Sequence, residues 1–137
     1  MRSDILNSSS GKYNFLAKLS TPKLVFAGGS NVTLTEAAHC GKIVVMDAAS
    51  IKATLPDIGS SAEVGSKYVI VLAGDYATVS LDTNNAKFLA SCGVSVTDDG
   101  DKLTCRSAKE GDWIEVTGDT NDWIITGMGG EWYDNGE

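Results

Sequence analysis

The segment from Gly111 to Gly127 constrains the fold most strongly, because two apolar runs flank one short polar turn. Each run contains β-branched residues and a tryptophan, and these residue types fit the pleated, half-buried surface of a sheet. Between the runs, residues 118–121 read Gly-Asp-Thr-Asn, which is the composition of a turn. The pattern predicts an antiparallel β-hairpin, and it contains no arrangement of residues suited to catalysis.

Short apolar runs bounded by Gly, Pro, Asp and Asn recur along the chain and predict roughly nine strands without a long helix. Residues 43–46 are uninterrupted and apolar, as in a strand buried on both faces. The run at 67–73 is expected to lie centrally in a sheet, and residues 76–81 are expected to follow it across a tight turn. No repeat recurs at a fixed period, which disfavours a solenoid. We therefore expect an all-β fold, specifically an antiparallel, jelly-roll-like β-sandwich.

A second hairpin and one helical turn are also predicted. Residues 92–96 and 102–106 flank a polar turn, which would place Cys92 opposite Cys105. Three cysteines without a C-x-x-C pair argue against a disulfide framework and a zinc site, so the thiols are expected to stay reduced. The stretch from Thr33 to Gly41 has a capping-box spacing and a glycine stop, which is typical of a short helical turn.

The chain divides into an N-terminal extended arm, residues 1–23, and a β-sandwich domain with a short C-terminal tail, residues 24–137. Apolar side chains of the arm would be exposed in water, so we expect them to dock on a sister subunit or a larger partner. The alternative is that residues 13–19 pack back on their own domain as a short helix. Two aromatic residues of the tail are expected to be held by a neighbouring molecule. The predicted contact residues are Lys12, Tyr13, Phe15, Leu16, Lys18, Leu19, Trp132 and Tyr133.

Charge is distributed unevenly along the sequence. Residues 1–30 carry four cations and one carboxylate, a net charge of +3, and residues 31–137 carry −10, which together give the total of −7. An acidic body repels nucleic acid, so no nucleic-acid partner is expected. The sequence shows neither a signal peptide nor an apolar run long enough to span a membrane. We expect synthesis in the cytoplasm and no membrane association.

The residues that could carry chemistry are poorly arranged for it. His39 and Cys40 are adjacent, and neighbours in a helical turn point about 100° apart, which does not suit a shared proton. The aspartates within 98–101 and 119–122 could bind calcium, but neither segment matches an EF-hand loop, and both lie where hairpins need turn residues. We expect no catalytic residue, no metal and no cofactor, and therefore no enzyme.

Three stretches carry a resemblance to a known group of proteins. They are Thr-Leu-Thr-Glu-Ala-Ala-His-Cys-Gly-Lys-Ile-Val-Val at 33–45, Ala-Thr-Leu-Pro at 53–56, and Gly-Asp-Trp-Ile-Glu-Val at 111–116 with Thr-Asn-Asp-Trp at 120–123. Read together, they resemble β domains of phage virion proteins, namely capsid decoration (cement) proteins, head fibres and some tail-fibre segments. The resemblance covers about residues 31–127. It departs from the family at Asp122, which is inserted where the family's turn commonly runs from Asn to Trp.

The resemblance implies a homotrimer on the outer capsid surface of a virion. Such a decoration protein would bind the major capsid protein and stabilise the shell, and the arm would then supply capsid or intersubunit contacts. The alternative is a receptor- or glycan-binding domain of a phage fibre or adhesin. In that case Trp113, Trp132 or Tyr133 would stack on a sugar.

Overall fold

Strands make up nearly all of the regular structure. The computed structural model describes residues 23–58, 63–90, 93 and 95–135, and within them the chain forms eleven strands and one helical turn, α1 (Glu36–His39). The strands are β1 (Leu24–Phe26), β2 (Val32–Thr33), β3 (Ile43–Met46), β4 (Lys52–Thr54), β5 (Lys67–Leu72), β6 (Ser80–Asp82), β7 (Phe88–Leu89), β8 (Lys102–Arg106), β9 (Trp113–Gly118), β10 (Trp123–Gly129) and β11 (Glu131–Asp134).

The strands form two sheets, and both sheets are mixed. The six-stranded sheet has the order β1-β3-β5-β9-β10-β7, and the five-stranded sheet has the order β11-β8-β6-β4-β2. Among the described strands, five of the nine pairings are parallel and four are antiparallel. The predicted all-β fold is confirmed. The predicted antiparallel pairing is wrong for more than half of the pairs, and a jelly roll is not confirmed.

The first six strands alternate between the two sheets. As a result β1, β3 and β5 are neighbours in one sheet, β2, β4 and β6 are neighbours in the other, and all four pairings are parallel. The chain therefore winds through three successive turns instead of folding into hairpins. The residues 73–79 lead from β5 to the other sheet, across the roughly 10 Å that separates packed sheets. The predicted tight turn after β5 is wrong, and the predicted strand at 76–81 begins only at Ser80.

The C-terminal hairpin forms as predicted. β9 and β10 pair in antiparallel fashion with one bulge. In the turn, Oδ1 of Asp119 accepts hydrogen bonds from the backbone N–H groups of Asn121 at 2.7 Å and Asp122 at 2.8 Å. The carboxylate of Asp122 accepts a hydrogen bond from the Lys87 N–H at 3.2 Å. Asp122 therefore ties the hairpin turn to the residue preceding β7.

The second predicted hairpin does not form. β8 pairs with β6 on one side and with β11 on the other, which leaves no free edge for the segment 92–96. Within that segment, Ser95 forms a bridge to Leu89. The predicted facing of two cysteines depends on Cys92, which lies outside the described residues, whereas Cys105 is a free, buried thiol.

The aromatic residues near the C-terminus belong to a strand and not to a tail held by a neighbour. β11 pairs with β8, and this pairing places Trp132 in the core, where it is 8% exposed. The indole N–H of Trp132 donates to the carbonyl oxygens of Trp113 at 3.1 Å and Gly129 at 3.2 Å. The chain itself therefore buries most of the Trp132 side chain, which gives this residue a role in the fold, and its predicted contact with another subunit or the capsid stays a prediction.

One buried cluster draws on both sheets. At its centre Trp123 is fully buried, and its ring meets the ring of Tyr68 edge to face with centroids 5.6 Å apart. Phe88 of β7 and Leu103 of β8 are equally inaccessible to solvent. Large aromatic side chains bury the most apolar area per residue, so Trp123 and its neighbours supply much of the driving force for folding.

The helical turn α1 is predicted correctly, although Thr35 and not Thr33 caps it. The Thr35 hydroxyl accepts a hydrogen bond from the Ala38 N–H at 3.3 Å. The Thr35 N–H in turn donates to Nδ1 of His39 at 2.9 Å, so this ring nitrogen carries no proton. Burial of the ring lowers the pKa of His39. The folded chain therefore favours the neutral imidazole.

The fold is expected to lose stability as the pH falls below about 6.5, the pKa of histidine in an unfolded chain. His39 is the single histidine, and its pKa is lowered in the folded state. As the pH falls, the unfolded chain takes up a proton that the folded chain resists, and the free energy of unfolding therefore becomes smaller. Urea unfolding at about pH 7.5 and about pH 5.5 measures this loss. The His39→Gln variant should lose less, and equal losses in both proteins would contradict the assignment.

Candidate functional site

The outward side of the six-stranded sheet is apolar. Side chains alternate along a strand, and Val44, Met46, Ile70 and Leu72 belong to the core cluster, so the residues between them point away from the core. Residues paired across a ladder share a face, which extends the assignment to β1 and β9. We call this surface the outer apolar face. Its members are Leu24, Phe26, Ile43, Val45, Val69, Val71 and Trp113.

The strand register arranges these side chains in two rows that cross four strands. Neighbouring strands lie about 4.8 Å apart, so the side chains of each row are in reach of one another and form one continuous patch. The first row is Phe26, Val45, Val71 and Trp113, and the second row is Leu24, Ile43 and Val69, followed by Glu115.

Several members of the outer apolar face are strongly exposed. Leu24 and Phe26 on the edge strand β1 are 58% and 61% exposed, and Trp113 is 37% exposed. Val45 is buried although it is not part of the core cluster, because its neighbours on the same face cover it. A contiguous exposed apolar patch of this kind marks an interaction site, whereas single exposed apolar residues do not.

Polar residues bound the patch on one side. Oε1 of Glu115 lies 3.9 Å from Nζ of Lys67 and accepts a hydrogen bond from the Thr126 hydroxyl at 2.8 Å. The hydroxyls of Thr117 and Thr126 are 3.1 Å apart. An exposed ion pair of this kind contributes at most about 1 kcal/mol to stability. The arrangement of an apolar centre beside a polar margin is that of a protein interface.

Two glycines of β10 determine where the ring of Trp113 lies. A Cβ atom at Gly129 would be 2.4 Å from Nε1 of Trp113, and a Cβ atom at Gly127 would be 2.9 Å from Cη2. No larger residue fits at Gly129 unless the indole moves. The glycines therefore let the ring approach the backbone of the neighbouring strand and complete the first row.

The residues predicted for capsid contact or for sugar stacking lie in different parts of the chain. Tyr133 lies on the five-stranded sheet, where the guanidinium of Arg106 is 4.3 Å from the centroid of its ring. Trp132 is in the core, and Trp113 is on the outer apolar face. These three aromatic residues therefore do not form one stacking platform for a sugar. The predicted contacts of the arm, Lys12, Tyr13, Phe15, Leu16, Lys18 and Leu19, lie outside the described residues.

Two groups that could act as nucleophiles or ligands, His39 and Cys105, form hydrogen bonds within the fold. Nδ1 of His39 accepts the hydrogen bond described above, and the thiol of Cys105 donates to Oδ2 of Asp112 at 3.5 Å. Burial raises the pKa of Cys105 to about 12, so the thiol is protonated at neutral pH. In the part of the chain that the structure describes, no three His, Cys, Asp or Glu side chains are close enough to hold a metal ion.

The sequence carried a signal for the outer apolar face. The uninterrupted apolar run at 43–46 predicts a strand buried on both faces. In the folded chain, one face of β3 lies on the core and the other contributes Ile43 and Val45 to the outer apolar face. The run therefore supplies apolar side chains to both faces of the six-stranded sheet.

Comparison with known protein families and with curated proteins gave no match to this sequence. Within the described ranges, no helix is both long and apolar enough to cross a membrane.

Proposed function

We propose that this protein is a virion structural protein that binds the outer surface of a phage capsid as a homotrimer and stabilises the shell. The observation that carries the proposal is the outer apolar face. Its residues Leu24, Phe26 and Trp113 are exposed and can contact another protein. The resemblance of residues 31–127 to decoration proteins supports the same role. The domain we propose is a sandwich of two mixed sheets that presents this face to other subunits.

We propose that the N-terminal arm of a neighbouring copy covers the outer apolar face. The arm ends at Lys23, whose carbonyl oxygen accepts a hydrogen bond from the Ile43 N–H at 2.9 Å, so it enters the sheet at the edge of this face. Its 22 preceding residues can span up to about 70 Å when extended. Crossing the four strands of the face requires only about 14 Å. The arm is therefore long enough to reach a second subunit and cover its face.

Charge and hydrophobicity make the arm a suitable occupant. Four apolar residues of the arm, Tyr13, Phe15, Leu16 and Leu19, match the apolar character of the face. Residues 1–30 carry +3 and residues 31–137 carry −10, so an arm is attracted to the body of a neighbour, whereas two acidic bodies repel each other. The opposite charges favour the arm over a direct contact between two bodies.

Stabilisation of the shell follows from added contacts. A trimer that bridges neighbouring major capsid protein subunits buries surface on each of them, and buried apolar surface contributes about 25 cal/mol per Å² before the costs of association. Internal pressure must then break these contacts as well before the shell opens. In this proposal the protein is made in the host cytoplasm, binds no nucleic acid and no membrane, and needs no cofactor.

Deletion of residues 1–20 is expected to convert the trimer into a monomer and to abolish binding to empty capsids. The reason is that the deletion removes the apolar residues that cover the neighbour's outer apolar face, while all described strands remain. Sedimentation equilibrium measures the mass of both proteins, and co-sedimentation with purified empty shells measures binding.

The matched control is deletion of residues 1–10 only, which shortens the arm but keeps Tyr13, Phe15, Leu16 and Leu19, and this variant should remain trimeric. A full-length chain that is monomeric both alone and on shells would contradict the trimer. A trimer that survives deletion of residues 1–20 would show that the bodies associate without the arm.

The alternative, a receptor- or glycan-binding fibre domain built on aromatic stacking, is not favoured, because the side chains of Trp113, Trp132 and Tyr133 lie on the outer apolar face, in the core and on the five-stranded sheet, respectively. The copy number in purified particles separates the two functions. A decoration protein should be nearly as abundant as the major capsid protein, and a fibre tip should be present in few copies.

A further inference from the structure

The outward side of the five-stranded sheet differs from that of the six-stranded sheet, because the strand register places Lys52, Ser80 and Thr104 on it. An open depression of about 470 Å³ with a mixed polar and apolar lining lies on this side. The depression lies beside the end of β8, between the loops that precede β6 and β9. Its volume is within the range of about 300–1,000 Å³ that is typical of small-molecule sites. The lining residues that matter here are Asp75, Thr104, Arg106, Ser107, Lys109 and Tyr133.

Thr104 provides a buried hydroxyl without a partner. Leu103 and Cys105 belong to the core cluster, so Thr104 between them points to the outward side, where it lines the depression. The residue is 3% exposed, and its Oγ1 has no hydrogen-bond partner among the described residues. A buried hydroxyl left unpaired costs about 1–3 kcal/mol, so a water or ligand group that pairs with it from the depression would recover part of this cost.

Arg106 provides a cation that forms no ion pair with the carboxylates named above in the part of the chain that the structure describes. Its guanidinium lies over the ring of Tyr133, which fixes the position of the planar group. Glu131 is opposite Arg106 in the strand register, yet no carboxylate of the described residues is within the 4.0 Å of an ion pair with it. The fork of N–H groups can bind a carboxylate with two parallel hydrogen bonds.

The opposite wall of the depression is tied in place. Asp75 accepts a hydrogen bond from the Glu110 N–H at 2.9 Å, and its Oδ2 lies 3.5 Å from Nζ of Lys109. The backbone hydrogen bond from Glu110 and the charge of Lys109 lower the pKa of Asp75. Asp75 therefore stays ionised and holds the loop that carries Lys109.

Two lining residues have left-handed backbone conformations that non-glycine residues seldom adopt. Thr78 has a φ of 57° and Ser107 a φ of 51°. For a β-branched residue such as Thr78 this conformation is a genuine outlier. The Thr78 hydroxyl is 2.9 Å from that of Ser50, which also has a positive φ of 61°. Backbone strain of this kind concentrates at binding sites, where surrounding contacts maintain it.

We propose that this depression binds a carboxylate-bearing sugar, such as a uronic acid unit of a surface glycan. Arg106 would bind the carboxylate, and the hydroxyls of Thr104 and Ser107 would pair with sugar hydroxyls, which both donate and accept. Arg106 and Lys109 against Asp75 give the lining a net charge of +1, in a body that carries −10. A local positive site on an acidic surface selects for an anionic ligand. This binding activity does not depend on the shell-binding proposal.

The test is isothermal titration of the full-length protein with a uronic acid disaccharide, its carboxyl-reduced neutral counterpart, acetate, and a short aspartate-rich peptide. We expect saturable binding of the uronic acid disaccharide alone. Arg106→Gln should weaken this binding about tenfold to a hundredfold, since it removes a charge-assisted pair of hydrogen bonds. Thr104→Val should weaken binding as well but leave the thermal stability unchanged or raised, because it removes an unpaired buried hydroxyl.

The matched control is Lys102→Gln, which removes a cation from the same strand at a position outside the depression and should bind as the parent does. Several outcomes would overturn the proposal: no saturable binding of the disaccharide, equal binding of its neutral counterpart, or Arg106→Gln binding like Lys102→Gln. Equal affinity for acetate would reduce the depression to a general anion site, and equal affinity for the peptide would assign it to a protein partner.

Discussion

Replacing Trp123 by alanine is expected to destabilise the fold by about 3–5 kcal/mol, the largest stability loss that we predict for a single substitution. Trp123 is fully buried, and its ring makes the edge-to-face contact with Tyr68. The substitution leaves a cavity in place of the indole ring. The strands around it are held in sheets by their neighbours, so they cannot move far enough to fill this cavity. Urea unfolding followed by circular dichroism measures the change in the free energy of unfolding.

Trp123→Phe is the matched control. Nε1 of Trp123 is buried and has no hydrogen-bond partner among the described residues, so the indole contributes by packing and not by hydrogen bonding. Phenylalanine keeps an aromatic ring beside Tyr68 and removes the unpaired N–H, and we expect a loss below about 1.5 kcal/mol. A loss as large as that of Trp123→Ala would mean that the N–H forms a bond essential to the fold.

The hairpin of β9 and β10 could be predicted from the sequence because all of its information is local. The strand residues and the turn are contiguous, and Asp119 caps the turn with its own side chain. The helical turn α1 was predictable for the same reason, although the capping-box spacing indicated Thr33 as the cap and Thr35 caps the turn. Short-range hydrogen bonds thus favour both elements independently of distant parts of the chain.

The parallel winding of the first six strands could not be predicted in the same way. Paired positions in the six-stranded sheet are 19 residues apart between Leu24 and Ile43 but 26 apart between Ile43 and Val69, so no fixed period appears in the sequence. Each connection among the first six strands crosses from one sheet to the other. A polar connection of this kind has the same composition as the loop of a hairpin, so the sequence does not distinguish the two. Which strands pair is decided by the shared core, a contact between residues distant in sequence.

The candidate sites show the same division between local and long-range information. The apolar run at 43–46 indicates two covered faces, but only the register with β1, β5 and β9 shows that seven apolar residues share one surface. The depression at Thr104 has no sequence signal at all. It exists because β8 lies between β6 and β11, and this arrangement brings Tyr133 beside Arg106 and the loop that carries Lys109.

Val71→Glu is expected to abolish trimer formation while leaving the isolated subunit folded. Val71 lies in the middle of the first row, in register with Val45 on one side and Trp113 on the other. A covering arm would have to bury the new carboxylate among apolar side chains without a partner, which costs several kcal/mol. Truncation of a central interface residue alone costs 2 kcal/mol or more, so we expect association to weaken by about thirtyfold at the least.

Sedimentation equilibrium measures the association, and urea unfolding of the isolated subunit measures the fold. The side chain of Val71 faces away from the core, so the free energy of unfolding of the subunit should change by only about 1 kcal/mol. Thr117→Glu is the matched control, since Thr117 lies on the same side of the sheet but opposite Lys67 at the polar margin, and this variant should remain trimeric. A Val71→Glu protein that assembles like the parent would show that the outer apolar face is not the surface through which subunits meet.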